Sequence, residues 1–161
     1  NIHELDSHNW DEWADETGSI GKTYGYVAGE KFDYPEGFMD QVDNVLYQLK
    51  HNPMDRRMMI QLFRPEYIKQ AGLPPCVMTY IFNVRDNKLD MMVVQRSGDL
   101  IAAAGAGESD EISMAILQYM LAISSGLEVG EFVHITNNLH IYDRHIDIAK
   151  EIIENPSYET P

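Results

Sequence analysis

Val42, Val45, Leu46 and Leu49 recur at the three- and four-residue spacing of one helical face, and Asn52-Pro53 ends the run, which predicts a helix. Met58–Phe63 is a short apolar stretch of the kind that forms a buried strand. Val77–Arg85 and Lys88–Arg96 read as two strands joined at Asp86-Asn87, a pair suited to a tight hairpin turn. Gly98–Gly107 is rich in small residues and reads as loop. Ser109 or Asp110 can cap the apolar helix that follows to about Ser124, and Gly126 can terminate it. Glu131–Leu139 is expected to be a further strand, and a last helix begins near Asp143 and fades before Asn155-Pro156. Strands and helices are mixed without strict alternation, which favours an α+β class over a doubly wound sheet.

The 161 residues carry no internal repeat, low-complexity tract or linker-like stretch, so residues 1–161 are expected to form a single domain. A net charge of −14 argues against polymeric nucleic acid as a partner, because that affinity rests on Lys and Arg against phosphates. It leaves room for a small phosphorylated ligand, since a few arginines make a local anion site. No apolar run approaches the roughly 20 residues of a membrane helix, and nothing resembles a signal peptide. Cys76 stands alone and cannot form an internal disulfide, which fits a reducing, cytoplasmic setting. The chain begins at Asn1 without an initiator methionine, and the expectation is an upstream segment that was removed or left out.

Several side chains could carry chemistry. Cys76 follows Leu73-Pro74-Pro75 at the start of a predicted strand. A nucleophilic cysteine acts as the thiolate, which nearby arginine charge favours, and two prolines make its approach rigid. A lone cysteine is also commonly a small buried hydrophobe. Arg56-Arg57 follows Pro53-Met54-Asp55, and Gln95-Arg96-Ser97 closes a strand. Such arginines can fork onto phosphate oxygens with the serine hydroxyl as a further donor, or simply be solvated. His140 and Tyr142, two apart on a strand, would share one face, either to hold a sugar hydroxyl or as a satisfied core pair. There is no G-x-G-x-x-G, P-loop, Cys-x-x-Cys or Gly-x-Ser-x-Gly, and His140 and His145 lack partners at zinc-ligand spacing.

Taken together, these segments resemble the thymidylate synthase family. Trp10-Asp11-Glu12-Trp13, then Gly18 and Gly21-Lys22-Thr23-Tyr24-Gly25, is similar to its Trp-rich entry segment and Gly-x-x-Tyr-Gly. Asn52-Pro53-Met54-Asp55-Arg56-Arg57 resembles its double-arginine segment, Leu73-Pro74-Pro75-Cys76 its nucleophile loop, and Gln95-Arg96-Ser97-Gly98-Asp99 its phosphate-binding strand end. Gly126–Val133 followed by Leu139-His140-Ile141-Tyr142 matches its closing segment.

The resemblance implies an α+β fold with a large mixed β-sheet flanked by helices, and a homodimer packed sheet to sheet. It implies a pyrimidine nucleotide as substrate and 5,10-methylenetetrahydrofolate as co-substrate. By position, Cys76 would add to C6 of the pyrimidine, and Arg96 and Ser97 would hold the 5′-phosphate. Arg56 and Arg57 would reach across from the other subunit. His140 and Tyr142 would hold the sugar 3′-hydroxyl. Asp99 would face the folate pterin, Trp10 would wall the folate side, and Tyr24 would serve proton transfer near C5.

The chain departs from the family pattern. Its upstream segment, with a catalytic glutamate and another phosphate arginine, and its C-terminal tail are expected to have no counterpart here. Val77 follows the cysteine where the family usually has histidine. The family's Gly-Leu-Pro-Phe-Asn gives way to the longer Ala103–Asp110, which puts Asp110 at the position of the uracil-reading asparagine. A carboxyl group there suits cytosine, because it can accept from the 4-amino group. The expected activity is therefore hydroxymethylation of a cytosine nucleotide, dCMP or CMP, through a Cys76 adduct. Thymidylate synthesis, the methylation of dUMP to dTMP, is the alternative, and an inactive nucleotide-binding homologue is a reading of a different class.

Overall fold

Asp86 and Asn87 both adopt left-handed backbone angles, φ 49° and 64°, and so make the two-residue turn that matches the twist of a β-hairpin. The computed structural model describes residues 8, 10–102 and 109–155. The turn joins β4 (Val77–Arg85) to β5 (Lys88–Asp99), which pair antiparallel from Arg85 against Lys88 to Val77 against Gln95. A strand β3 (Met59–Gln61) adds antiparallel to β4, and β6 (Glu128–His140) adds parallel to β5. Among the described residues, the sheet order is β3-β4-β5-β6. This is the mixed sheet with flanking helices that the resemblance implied.

Parallel pairing needs a crossover, and α3 (Ser109–Ser125) supplies it between β5 and β6. Gly126 ends α3 at φ 73°, a C-terminal cap that a residue with a Cβ adopts only with strain. The other helices are α1 (Tyr24–Ala28), α2 (Gln41–His51) and α4 (Ile146–Glu154), and a small hairpin of β1 (Lys31–Tyr34) and β2 (Gly37–Asp40) precedes α2. Asp40 caps α2 by accepting the Asp43 N–H at 2.8 Å.

The core lies where α2 and α3 cover one face of the sheet. Val45 and Leu49 from α2 and Met114, Leu121 and Ala122 from α3 pack with Ile60, Phe82, Met91 and Val93. Between Leu89 and Met91 the β5–β6 register shifts, which leaves carbonyls without strand partners. Gln118, buried on α3, donates Nε2 to Leu89 O at 2.8 Å and to Glu131 O at 3.0 Å. The irregularity is thereby satisfied from the helix.

Four expectations change in detail. The Met58–Phe63 stretch forms a strand only over Met59–Gln61 and is half-buried, since Met58, Ile60 and Leu62 are buried while Met59 and Gln61 are exposed. β5 runs on through Gly98 and Asp99, because β6 pairs with both residues. Asp110 sits inside the first turn of α3, which Ser109 opens, so it is not the cap. Tyr142 lies beyond the end of β6, at the start of the Asp143–His145 3-10 turn, so strand alternation does not place it beside His140. Of the expected loop 98–107, residues 100–102 are turn and residues 103–107 lie outside the described residues.

Candidate active site

Glycine makes the first approach possible. Gly21 (φ 73°) forms a bridge to Ala71, and a Cβ at Gly21 would stand 2.1 Å from Gln70 O. Lys22 N–H donates to Gln70 O at 2.9 Å, Gly72 N–H to Ile20 O at 3.0 Å, and the Thr23 hydroxyl to Leu73 O at 3.1 Å. These bonds lay the segment before α1 along the loop that carries Cys76. As a result, the Tyr24 hydroxyl accepts the Cys76 backbone N–H at 2.8 Å.

Arg96 holds the same loop from the other side. Its Nε donates to Pro75 O at 3.0 Å and its Nη2 to Pro74 O at 2.8 Å, while its backbone N–H donates to Cys76 O at 2.8 Å. A guanidinium has five N–H donors, so this fixes its plane beside Cys76 and leaves donors for an anion. Cys76 itself is half-buried, neither sealed in the core nor fully open.

An aromatic wall adjoins this junction. Trp10 meets Tyr24 edge to face at 5.8 Å and Trp13 at 5.6 Å. Burial pushes the Tyr24 phenol well above its ordinary range, and the Cys76 and Asp110 charges act in the same direction. Tyr80 is pushed up to about 12, by burial first and then by Asp110. Asp110 therefore faces the same interior as both phenols. Its Oδ2 accepts from Gln95 Nε2 at 2.9 Å.

The carboxyl ends of the parallel pair bring a second group together. Ser97 stands beside Asn138, and Asp99 beside His140. The His140 and Tyr142 rings meet edge to face at 5.0 Å, with Tyr142 placed by the turn that follows β6 and not by strand alternation. Asp99 is buried; its Oδ1 accepts the Ile101 N–H at 3.0 Å, and its Oδ2 lies 3.2 Å from His145 Nδ1 without a hydrogen bond forming between them.

Arg56 and Arg57 lie elsewhere, in the turn between α2 and β3, both exposed. Arg57 is tied to Asp55 through Nε at 2.9 Å and Nη2 at 2.6 Å. Its side-chain hydrogen bonds hold the Asp55 carboxyl at about 2. The structure thus gathers Trp10, Tyr24, Cys76, Arg96 and Asp110 into one cluster and Ser97, Asp99, His140 and Tyr142 along adjoining strand ends. It leaves the two arginines apart. Thr23, Tyr80, Gln95, His134 and His145 also enter these clusters, and the sequence assigned none of them a role. Period-two alternation marks Phe132, His134 and Thr136 as one face, but only the β5–β6 register points that face at Gln95. Among the described residues, no group of His, Cys, Asp and Glu could hold a metal ion, and no helix is long and apolar enough to cross a membrane.

The family model for thymidylate synthase matches residues 1–161. A thymidylate synthase of Clostridium beijerinckii is 41% identical over 166 residues, covering 99% of this chain and 59% of the relative. One from Bacillus licheniformis is 37% identical over 161 residues, covering 99% and 57%. The solved thermostable thymidylate synthase A from Bacillus subtilis superposes with a TM-score of 0.88 at 34% identity, covering 99% of this chain and 57% of that one. The chain spans somewhat under three-fifths of the length of these relatives.

These matches correct the expected cytosine hydroxymethylation, since the relatives bear the name of the alternative, thymidylate synthase. The physical reason lies at Asp110. Its carboxylate is engaged by Gln95 and sits near two phenols, so interactions within the fold account for it and its residue type alone no longer assigns a base.

Proposed function

The chain belongs to the thymidylate synthase family, and from that premise we propose that it carries the catalytic core for methylation of dUMP at C5, giving dTMP. The observation that carries this reading is the junction at Cys76. Its loop is held by Arg96 on one side and Tyr24 on the other, and Cys76 is left half-buried at the edge of the cluster.

In this reading Cys76 Sγ adds to C6 of the uracil ring, and the electron pair moves onto C5 and the O4 carbonyl. C5 then bonds the transferred carbon, loses its proton, and the sulfur leaves C6. 5,10-Methylenetetrahydrofolate, the family's co-substrate, supplies both the one-carbon unit and the hydride that reduces it to methyl, leaving dihydrofolate. The free N–H donors of Arg96 and the Ser97 hydroxyl hold the 5′-phosphate. His140 and Tyr142 hold the sugar 3′-hydroxyl. Asp110 accepts from the ring N3–H. Tyr24 stays neutral because burial raises its phenol, so it acts by hydrogen bonding in the proton-transfer network and not as a phenolate base.

The residues present fit the folate. Asp99 Oδ2 is a buried acceptor with no hydrogen-bond partner, which is what an N–H-bearing heterocycle would satisfy. The Trp10–Trp13–Tyr24 aromatic group gives a flat ring a wall to pack on.

A homodimer is part of the same proposal. Met59, Ile81, Met92 and Val133 form a row across all four strands on the face away from the core, each at least 37% exposed. A row of this kind supports two copies packing sheet to sheet. Arg56 and Arg57, apart from their own Cys76 cluster, then reach the phosphate of the partner's site.

The test is incubation of the full-length protein with methylenetetrahydrofolate and each of dUMP, dCMP and CMP, with products identified by mass. The expected result is dTMP with equimolar dihydrofolate from dUMP alone. A hydroxymethylated product, or no turnover of dUMP, overturns the proposal.

A further inference from the structure

The Gln95 amide sits between two ends of the proposed nucleotide site, and its orientation is set from behind. Its Nε2 donates to Asp110 Oδ2 at 2.9 Å and to Ser97 O at 2.9 Å. Its Oε1 lies 2.8 Å from His134 Nε2. Gln95 is only 1% exposed, so water cannot stand in for a missing partner. A flipped amide would turn its oxygen onto a carboxylate and a backbone carbonyl, both acceptors. The observed orientation therefore requires a hydrogen on His134 Nε2, facing the Gln95 oxygen.

The imidazole is held where it can do this. Its Nδ1 lies 3.1 Å from Glu111 Oε1, and Thr136 Oγ1 lies 3.2 Å from Nε2. Its plane is within 9° of the Phe132 ring on the same face of β6. Glu111 neighbours Asp110 in the first turn of α3, so a run of close polar contacts leaves α3 at Glu111, crosses β6 at His134 and β5 at Gln95, and returns to α3 at Asp110.

We propose that His134 is a positioning residue, whose Nε2–H locks the Gln95 amide so that Gln95 presents both of its donors to Asp110 and Ser97. This rests on the reading of Asp110 and Ser97 as nucleotide contacts, one at the base and one at the phosphate. The loop joins the two contacts through a single amide, so the base end and the phosphate end of the ligand are registered to each other. His134 touches neither end itself.

The experiment uses full-length protein with three readouts. Long-range ¹⁵N spectra of the histidines report which ring nitrogen of His134 carries hydrogen, and Nε2 is expected to. Hydrogen exchange of the Gln95 side-chain NH₂ is expected to be slow in the wild type and in His134→Gln, which keeps a donor, and fast in His134→Phe, which keeps a flat ring without one. Calorimetric dUMP affinity is expected to fall about tenfold or more in His134→Phe and to return to within about threefold of wild type in His134→Gln. A His134 Nε2 without hydrogen, Gln95 protection unchanged in His134→Phe, or equal dUMP affinity in the two variants each overturns the positioning role. If the wild type binds no dUMP, the proposed function fails by itself. The nitrogen spectra and the Gln95 exchange then still decide between support and rejection for His134.

Discussion

The Tyr24 hydroxyl accepts the Cys76 backbone N–H at 2.8 Å, joining residues 52 positions apart in the chain. The bond fixes the loop at the residue that carries the sulfur, and Trp10 packs on the same tyrosine. Replacing Tyr24 by phenylalanine removes the acceptor and keeps the ring. The Cys76 N–H is then left without its partner, at a cost of about 1–3 kcal/mol in stability. Denaturant unfolding should show a lower midpoint with an unchanged slope, together with reduced kcat on dUMP. An unchanged midpoint would mean that the loop is held without this bond.

Cys76→Ser tests the covalent step. A hydroxyl at neutral pH is a far weaker nucleophile than a thiolate, so turnover should vanish while the circular dichroism spectrum and unfolding midpoint stay close to wild type. More than a few per cent residual activity, with cysteine contamination excluded by mass, would rule out addition of Cys76 to the ring.

Arg57 tests the dimer and the origin of the phosphate contacts. Mixing Arg57→Ala subunits with Cys76→Ser subunits leaves each heterodimer with one complete site if the arginine serves the partner. Random exchange of equal amounts should restore about a quarter of wild-type activity from two nearly inactive proteins. No recovery after subunit exchange verified by native mass spectrometry would place Arg57 in its own subunit's site or outside it.

Tyr80 predicts an alkaline limit to stability. Its folded value is raised from 10 to about 12, so over that window the unfolded chain gives up a proton that the folded protein keeps. The unfolded state then binds fewer protons, and stability falls as pH rises from about 10 toward 12. Tyr80→Phe should flatten this part of the stability profile and leave the profile near pH 7 with the same slope. Chemical denaturation between pH 8 and 12 reads it directly, and identical slopes for both proteins would show that Tyr80 is not responsible.

The local elements and the chemistry on offer could be read along the chain. Periodicity set α2 and its end at Asn52-Pro53, turn chemistry set the Asp86-Asn87 hairpin, and Gly126 set the end of α3. These depend on neighbours within a few residues, which is the range over which side-chain spacing and backbone preference act. Cys76 after two prolines and the strand carrying Gln95-Arg96 were legible for the same reason. The small hairpin of β1 and β2 was not, because strands of four residues carry too little pattern.

Which face meets which was settled by long-range packing. The parallel pairing of β5 with β6 depends on the crossover through α3, and it alone sets His134 against Gln95 and Asp99 beside His140. The Tyr24–Cys76 contact needs the close backbone approach at Gly21, where a Cβ would collide with Gln70 O. Asp110 shows the division most plainly. Its residue type was readable from the chain and suggested one base, whereas its hydrogen bond from Gln95 arises between elements 15 residues apart and removed that assignment. A carboxylate's partners, more than its identity, set what it can offer a ligand, and partners are fixed only when the chain has folded.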